Sequence, residues 1–349
     1  MGARHHPRPH TIFMNHLSHI INNKKNIEQR SEIIRQIREF FWSQGFLELE
    51  TPLILRLPGQ EPYLNPMPIK IHDETGKEFS GYLHTSPEYA LKKALGAGFE
   101  KIFSICKTFR DQESFGGTHN PEFTMIEWYR SNTNMFSLMA DCEKLIMELE
   151  NKIEIEDKRS KIEDQRSFER ISMKDLWKQI IDINLDDYLT TETMFGLCEE
   201  HGYKPGADEK YEDLFYRIFL NEIEPKLADM GAVFVYNYPA QMAALSRLCP
   251  NDSRYAERFE LYIDGMELAN AFSELTDPIE QKKRLLEEQK LRQKLGKPVF
   301  DIDEDFVTAV GKMTPSAGIA LGIDRLVMIL TGCKNINNVI LLPASDLFF

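Results

Sequence analysis

The sequence predicts an α+β fold, an antiparallel sheet flanked by helices. Two observations carry that expectation. Strand-like runs are separated by hairpin loops at least as often as by helices, so consecutive strands fold back on one another. No Walker-type phosphate loop and no GxGxxG turn follows a strand, which argues against a doubly wound parallel sheet. With 349 residues, 42% hydrophobic and 11% aromatic, the chain has ample material for a core.

Residues 1–26, MGARHHPRPHTIFMNHLSHIINNKKN, read as a flexible N-terminal tail. They hold five of the nine histidines at irregular spacing and lack the apolar run of a signal peptide, and Met14 offers an alternative start. The catalytic-size unit is expected over 27–349. IEQRSEIIRQIREFFWSQGF places Ile33, Ile34, Ile37 and Phe40/Phe41 at helical spacing, and Gly45 ends it. FLELETPLI alternates like a strand up to Pro52. KIHDETGKEFSGYLHT reads as a hairpin around Glu74–Gly76, and SPEYALKKALGAGF as a helix with Ser86 as N-cap and Pro87 in its first turn. KIFSICKTFR and PEFTMIEWYR are strands joined by the glycine-bearing loop DQESFGGTHN. An amphipathic helix follows at 135–153.

Residues at about 155–230 are charged and helical, an insertion with no constellation that points to chemistry. AVFVYNYP is a strand. RFELYI-DG-MELANAF is a hairpin around Asp264–Gly265. PIEQKKRLLEEQKLRQKLG is a polar helix, and AGIALGIDRLVMILTG is a strand that runs through Gly322 into a helix.

Composition excludes some function classes. Forty-two basic and 55 acidic residues give a net charge of −13, which argues against a surface built to grip nucleic acid. Five widely spaced cysteines without a CxxC pair fit reduced thiols in a cytoplasmic protein. No stretch is long and apolar enough for a membrane helix.

Three places carry possible chemistry. In PEFTMIEWYR the period of two puts Phe123, Met125, Glu127 and Tyr129 on one face and Glu122, Ile126 and Trp128 on the other. A carboxylate in such a strand needs a partner: either an internal Arg or Lys, or a cationic group on something the protein binds. Glu122 is expected to find its partner within the protein. In the second hairpin, a two-residue turn pairs Tyr262 with Glu267 and Glu260 with Ala269, leaving Glu260 and Glu267 on one face. They are either two solvated acids or hard oxygen ligands for Mg²⁺. Glu274 has the opposite parity and joins them only if the strand bulges or ends near Asn270. Finally, GIALGIDR sets Arg325 just inside a helix start, a mild anion site.

Together these segments resemble the three motifs of class II aminoacyl-tRNA synthetases. IREFFWSQGFLELETPLI is similar to motif 1, FSICKTFRDQESFGGTHNPEFTMIEWYR to motif 2 and GIALGIDRLVMIL to motif 3. TSPEY, HNPEFTM-E-Y, ELAN-F-EL and G-D-R narrow the resemblance to the lysyl-tRNA synthetase branch, over roughly 27–349. Members of that branch that charge tRNA carry an anticodon-binding domain before motif 1, and only some 26 residues precede it here. The resemblance therefore leans to the free-standing ligases that place β-lysine on a lysine of elongation factor P. Ser86 and Ala320 stand where those ligases have Ser and Ala, and the tRNA-charging enzymes have Ala and Gly.

The resemblance implies ATP and Mg²⁺, lysine or β-lysine as substrate, elongation factor P as acceptor and a homodimer through motif 1; tRNA is not expected. It implies Arg110 and Arg325 as catalytic, Arg110 on the substrate carboxylate and the α-phosphate, Arg325 over the adenine and at the γ-phosphate. Phe123 would stack on adenine, and Asn120 would read adenine or ribose. Asp111, Gln112, Glu113, Glu267, Leu268 and Gly322 would complete the ATP site, and Glu260 and Glu267 would hold the metal. Ser86, Pro87, Glu88, Glu127, Tyr129, Asn270, Glu274 and Ala320 would form the amino-acid pocket. Glu88 would take the backbone-type amino group, and Glu127, Tyr129, Asn270 and Glu274 the distal ammonium. One departure is visible. The family writes Arg-x-Glu at the start of the motif 2 loop, whereas here Arg110 is followed by Asp111, Gln112 and Glu113. Either Gln112 replaces the acid or Glu113 reaches in. Two alternatives stay open: a truncated enzyme charging tRNA or another acceptor with lysine, and an inactive regulatory paralogue.

Overall fold

The computed structural model describes residues 16–152 and 166–349. Its main sheet contains β1 (Leu47–Glu48), β2 (Lys101–Phe109), β3 (Glu122–Ser131), β4 (Phe168–Ser172), β5 (Ala232–Pro239), β6 (Asp252–Ile263), β7 (Met266–Ser273) and β8 (Ser316–Gly322). Their spatial order is β1-β2-β3-β8-β7-β6-β5-β4, with Leu248–Cys249 paired to β6. Only β1–β2 and β4–β5 run parallel along that path; the centre, β2 to β5, is antiparallel as expected. A small sheet of Ile54–Leu55, Glu78–Leu83 and Pro68–His72 stands beside it.

The pleat of β3 divides the molecule. Ile126 and Trp128 point into the main core, where Phe41 of the helix Lys24–Ser43 meets Trp128 with ring centroids 5.0 Å apart. The helices Met135–Lys152 and Ile323–Thr331 cover the same face. Phe123, Met125, Glu127 and Tyr129 face a cavity on the other side.

Four expectations need correction. Residues 16–22 form a helix, not a flexible tail. His19 is buried there, with Nδ1 2.9 Å from Asp346 Oδ2 and Nε2 3.1 Å from the Ile340 carbonyl, which ties it to the C-terminal segment. Residues 1–15 lie outside the described residues. FLELETPLI is not one strand: Leu47–Glu48 and Ile54–Leu55 join different sheets, and Pro52, which has no N–H to give a ladder, lies between them. The charged insertion is not purely helical. Part of its charge run lies outside the described residues, but β4 extends the main sheet, and Trp177, Phe215 and Phe219 build a second core against Val233, Val235 and Tyr238. The helix Glu304–Val310 was not expected at all.

One buried acid ties the helix Lys24–Ser43, which runs into the motif 1 segment, to the motif 2 and motif 3 segments. Asp324 Oδ1 pairs with Arg30 at 2.5 Å, and Oδ2 accepts from the Thr124 backbone N–H at 2.6 Å. Arg30 also donates to Thr124 Oγ1 at 2.7 Å. Removing one partner of a buried pair leaves an uncompensated charge, so Asp324→Ala is expected to destabilise the fold by about 3 kcal/mol. Denaturant unfolding of the two proteins measures it.

Candidate active site

The cavity has a volume of about 1130 Å³ and lies on the open face of the central strands. Of the residues expected at the site, it brings together Ser86, Glu88, Arg110, Glu113, Asn120, Phe123, Glu127, Tyr129, Glu267, Leu268, Asn270, Ala320, Gly322 and Arg325. Pro87, Asp111, Gln112, Glu260 and Glu274 do not line it.

Strand geometry explains why residues of mixed parity meet. The Asp264–Gly265 turn has positive φ at both positions (51° and 78°), the conformation a two-residue hairpin demands. Tyr262 pairs with Glu267 as expected, but the register then shifts, and Glu260 pairs with Asn270 instead of Ala269. The extra residue, Leu268, is buried in the main core at this bulge. Beyond the bulge the parity of β7 is reversed. Asn270 and Glu274 therefore share a face with Glu267, which a strict alternation forbids.

At one end of the cavity is a basic and aromatic group. Arg110, at the end of β2, lies over the Phe123 ring at 5.0 Å, and its Nε is buried without a hydrogen-bond partner. Burial holds its guanidinium below its usual range, opposed by Glu113, Glu267 and Glu61. Arg325 donates from NH1 to the Glu267 carbonyl at 2.7 Å and to Oε2 at 3.3 Å, and its NH2 lies 3.0 Å from His119 Nε2. His119 was missed in the sequence; burial and then Arg325 depress its pKa. In the loop after Arg110, Glu113 lines the cavity, while Asp111 and Gln112 are exposed, with Gln112 Oε1 accepting from Asn65 at 3.4 Å. Asn120 borders the cavity but its amide is already engaged, donating to the Glu122 carbonyl and accepting from the Ala344 N–H.

Glu267 is raised by burial and then by the charge of Glu260. Glu260 itself sits behind the wall. Its Oε1 accepts from Arg258 at 2.6 Å, and its Oε2 from Tyr238 and Tyr262 at 2.7 and 2.6 Å. With these donors in place it is an internal ion-pair partner here, and only Glu267 of the expected metal pair faces the cavity. Among the described residues no cluster of three or more His, Cys, Asp or Glu is arranged for a metal.

At the other end the walls are acidic. Glu127 has no ion pair among the described residues; Ser86 Oγ donates to its Oε1 at 2.5 Å and the Tyr129 hydroxyl to its Oε2 at 2.8 Å. Burial, then the charge of Glu88, pushes its pKa up to about 8. Glu122, on the opposite face, pairs with Lys107 at 3.2 Å, as the alternation implied. Glu274 lies behind Gly318, where a side chain would sit 2.1 Å from the Tyr129 ring and 2.4 Å from Glu274 Oε1. Burial raises Glu274 to about 7. Lys92, also missed in the sequence, is fully buried between Glu88 and Glu274.

The far mouth is built from elements that seemed to carry no chemistry. Tyr211 and Glu212 come from the insertion, and Arg284, Glu287 and Glu288 from the helix Pro278–Lys294. Burial, then Glu61, pushes Glu288 to about 8.

A family model for class II tRNA synthetases (D, K and N) matches residues 14–346. The chain belongs to this family. Among curated relatives, it is 39% identical over 322 residues to the elongation factor P–(R)-β-lysine ligase of Pseudoalteromonas translucida (strain TAC 125), covering 90% of this chain and 94% of that one. It is 35% identical over 344 residues to the enzyme of that name from Haemophilus influenzae (strain ATCC 51907 / DSM 11121 / KW20 / Rd), covering 97% and 98%. By these matches the chain groups with relatives of that name over nearly its whole length.

The raised acids make a prediction about stability. Glu127, Glu274 and Glu288 hold their protons more tightly folded than unfolded, where a glutamate titrates near pH 4.3. The stability they contribute is fully present below the unfolded value and is lost as pH rises through about 7 to 8. Scanning calorimetry on the ligand-free protein should show Tm falling from about pH 4.5 to about pH 8 and levelling off above that.

Proposed function

We propose that this protein activates a lysine-type amino acid, (R)-β-lysine or lysine, with ATP and transfers it to a lysine of elongation factor P. The observation that carries this is the pairing of Arg110 and Phe123 at one end of the cavity with Glu88, Glu127 and Tyr129 at the other. An amino acid with a cationic tail fits between them, carboxylate toward Arg110 and ammonium groups toward the acids. The names of the relatives supply the acceptor.

The first step is attack of the substrate carboxylate oxygen on the α-phosphorus of ATP, with pyrophosphate leaving. Arg110 offers fixed, bidentate donors to both reacting groups, a contact that strengthens as charge builds on the phosphoryl oxygens. Phe123 presents a flat face for the adenine. Arg325 exchanges its contacts with Glu267 and His119 for phosphate oxygens. Glu267 would hold Mg²⁺, which neutralises phosphate charge when bound and takes one or two carboxylates as ligands. In the second step the acceptor's neutral amine attacks the adenylate carbonyl, AMP leaves and an amide forms, with the amine proton released. Alignment of reactants supplies most of the acceleration.

Amino-acid-dependent exchange of pyrophosphate into ATP tests the first step. Exchange driven by (R)-β-lysine or lysine, and not by leucine, is the expected result; no exchange with any amino acid would revive the inactive paralogue. Trp42, Leu47 and Ile54 are exposed on the motif 1 segment, which supports a homodimer through that surface.

A further inference from the structure

Lys92 has no place in the chemistry above, yet it is as deeply enclosed as the acids around it. Its side chain is 1% exposed, and its Nζ lies 2.6 Å from Glu88 Oε1 and 2.7 Å from Glu274 Oε2. It stands four residues after Glu88 on the helix Glu88–Gly96, one turn along the same face. Glu274 comes from the opposite side, from the segment between β7 and the helix Pro278–Lys294. One ammonium thus bridges two carboxylates from separate elements.

The charges around it decide what the bridge does. From its own helix Lys92 faces Glu88, and from the end of β7 it faces Glu274. From β3, Glu127 and Tyr129 lie in the same cluster, and Glu61 adds its charge through Glu88. Three carboxylates, Glu88, Glu127 and Glu274, share one internal cation, so two negative charges stay uncompensated when all are ionised. Glu274 Oε1 is buried with no hydrogen-bond partner. An orphaned buried carboxylate oxygen is costly unless a donor arrives. Burial alone would lower the Lys92 pKa, but Glu274 and Glu88 hold it raised, so it is a permanent cation that never competes as a base.

Resting on the functional reading above, we propose that Lys92 is a positioning residue: a built-in counter-cation that bridges Glu88 and Glu274, holds both carboxyl groups in place and leaves the pocket short of two positive charges once its acids are ionised. A diamino acid supplies both, one at each end of the acid cluster. Lys92 does not line the cavity and acts through the two acids it bridges. Its loss affects amino-acid binding and not nucleotide binding.

Calorimetric titration of lysine and (R)-β-lysine into wild type and Lys92→Met tests this, with ATP titrated in parallel. The variant's Kd for either amino acid should rise by about 30-fold or more, while its Kd for ATP stays within about twofold. The pH profile separates positioning from packing. Wild-type affinity should climb as pH rises through about 7 to 8, when the raised acids give up protons. In the variant the climb should move to higher pH by about one unit or more, because an opposite charge at hydrogen-bond distance has been removed. Lys92→Gln carries the same readouts if Lys92→Met does not fold. An amino-acid Kd within about threefold of wild type, or a weakened Kd with an unmoved pH profile, overturns the assignment. Failure of the wild type to bind either amino acid overturns the functional reading instead, whatever Lys92 does.

Discussion

Arg110→Ala should lower kcat/KM for amino-acid-dependent pyrophosphate exchange by about 10²- to 10³-fold, the loss typical of removing a donor aimed at developing charge. The fold gives it little to do otherwise. Its Nε has no partner, and its closest aromatic contact, Phe123, is itself a cavity residue. The variant should therefore unfold at close to the wild-type denaturant midpoint, which separates lost catalysis from lost structure. The loss should fall on kcat as well as KM, because the contact tightens in the transition state. Arg110→Lys should recover little, since a point ammonium cannot grip a carboxylate and a phosphate in the same plane. A loss confined to KM would show that Arg110 binds substrate and transition state alike.

Glu127→Gln should raise the amino-acid KM by about 10²-fold, the cost of removing a buried charge that faces a substrate ammonium. The substitution keeps shape, its amide oxygen accepting from one of the two hydroxyls and its NH2 donating to the other, so ATP binding should be unaffected. Its effect on stability has the opposite sign. Glu127 holds a proton up to about pH 8 because ionising it there is unfavourable. An amide never ionises, so the fall in Tm of the ligand-free protein between about pH 4.5 and 8 should be shallower in Glu127→Gln, leaving it the more stable protein at alkaline pH. An enzyme that loses substrate affinity while gaining alkaline stability is what a site built around an uncompensated charge implies.

The strand faces that line the cavity were legible in the sequence because their signals are local. The alternation in PEFTMIEWYR fixes which residues of β3 face the cavity, and Asp264–Gly265 fixes the hairpin turn. What was not legible came from contacts between distant segments. The bulge at Leu268 reverses the parity of β7, and nothing in MELANAF marks it. The Arg258–Glu260 ion pair on β6 was not legible either, since nothing in RFELYI marks Arg258 as the partner of the acid two residues on. Asn120 looked free because Ala344, its partner, is 224 residues away. Lys92 sits in an ordinary amphipathic helix, and only the arrival of Glu274 from across the sheet gives it meaning. The insertion looked inert since its charges suggested a solvated face, yet Tyr211 and Glu212 close one side of the cavity.

The central claim is transfer of a lysine-type residue to a protein. Its most direct test is the intact mass of elongation factor P after incubation with this protein, ATP, Mg²⁺ and either (R)-β-lysine or lysine. The expected result is a gain of one lysyl residue on a single lysine, faster with (R)-β-lysine, and absent without ATP or with the Arg110→Ala variant. Unmodified elongation factor P, together with efficient charging of lysine-accepting tRNA under the same conditions, would contradict it.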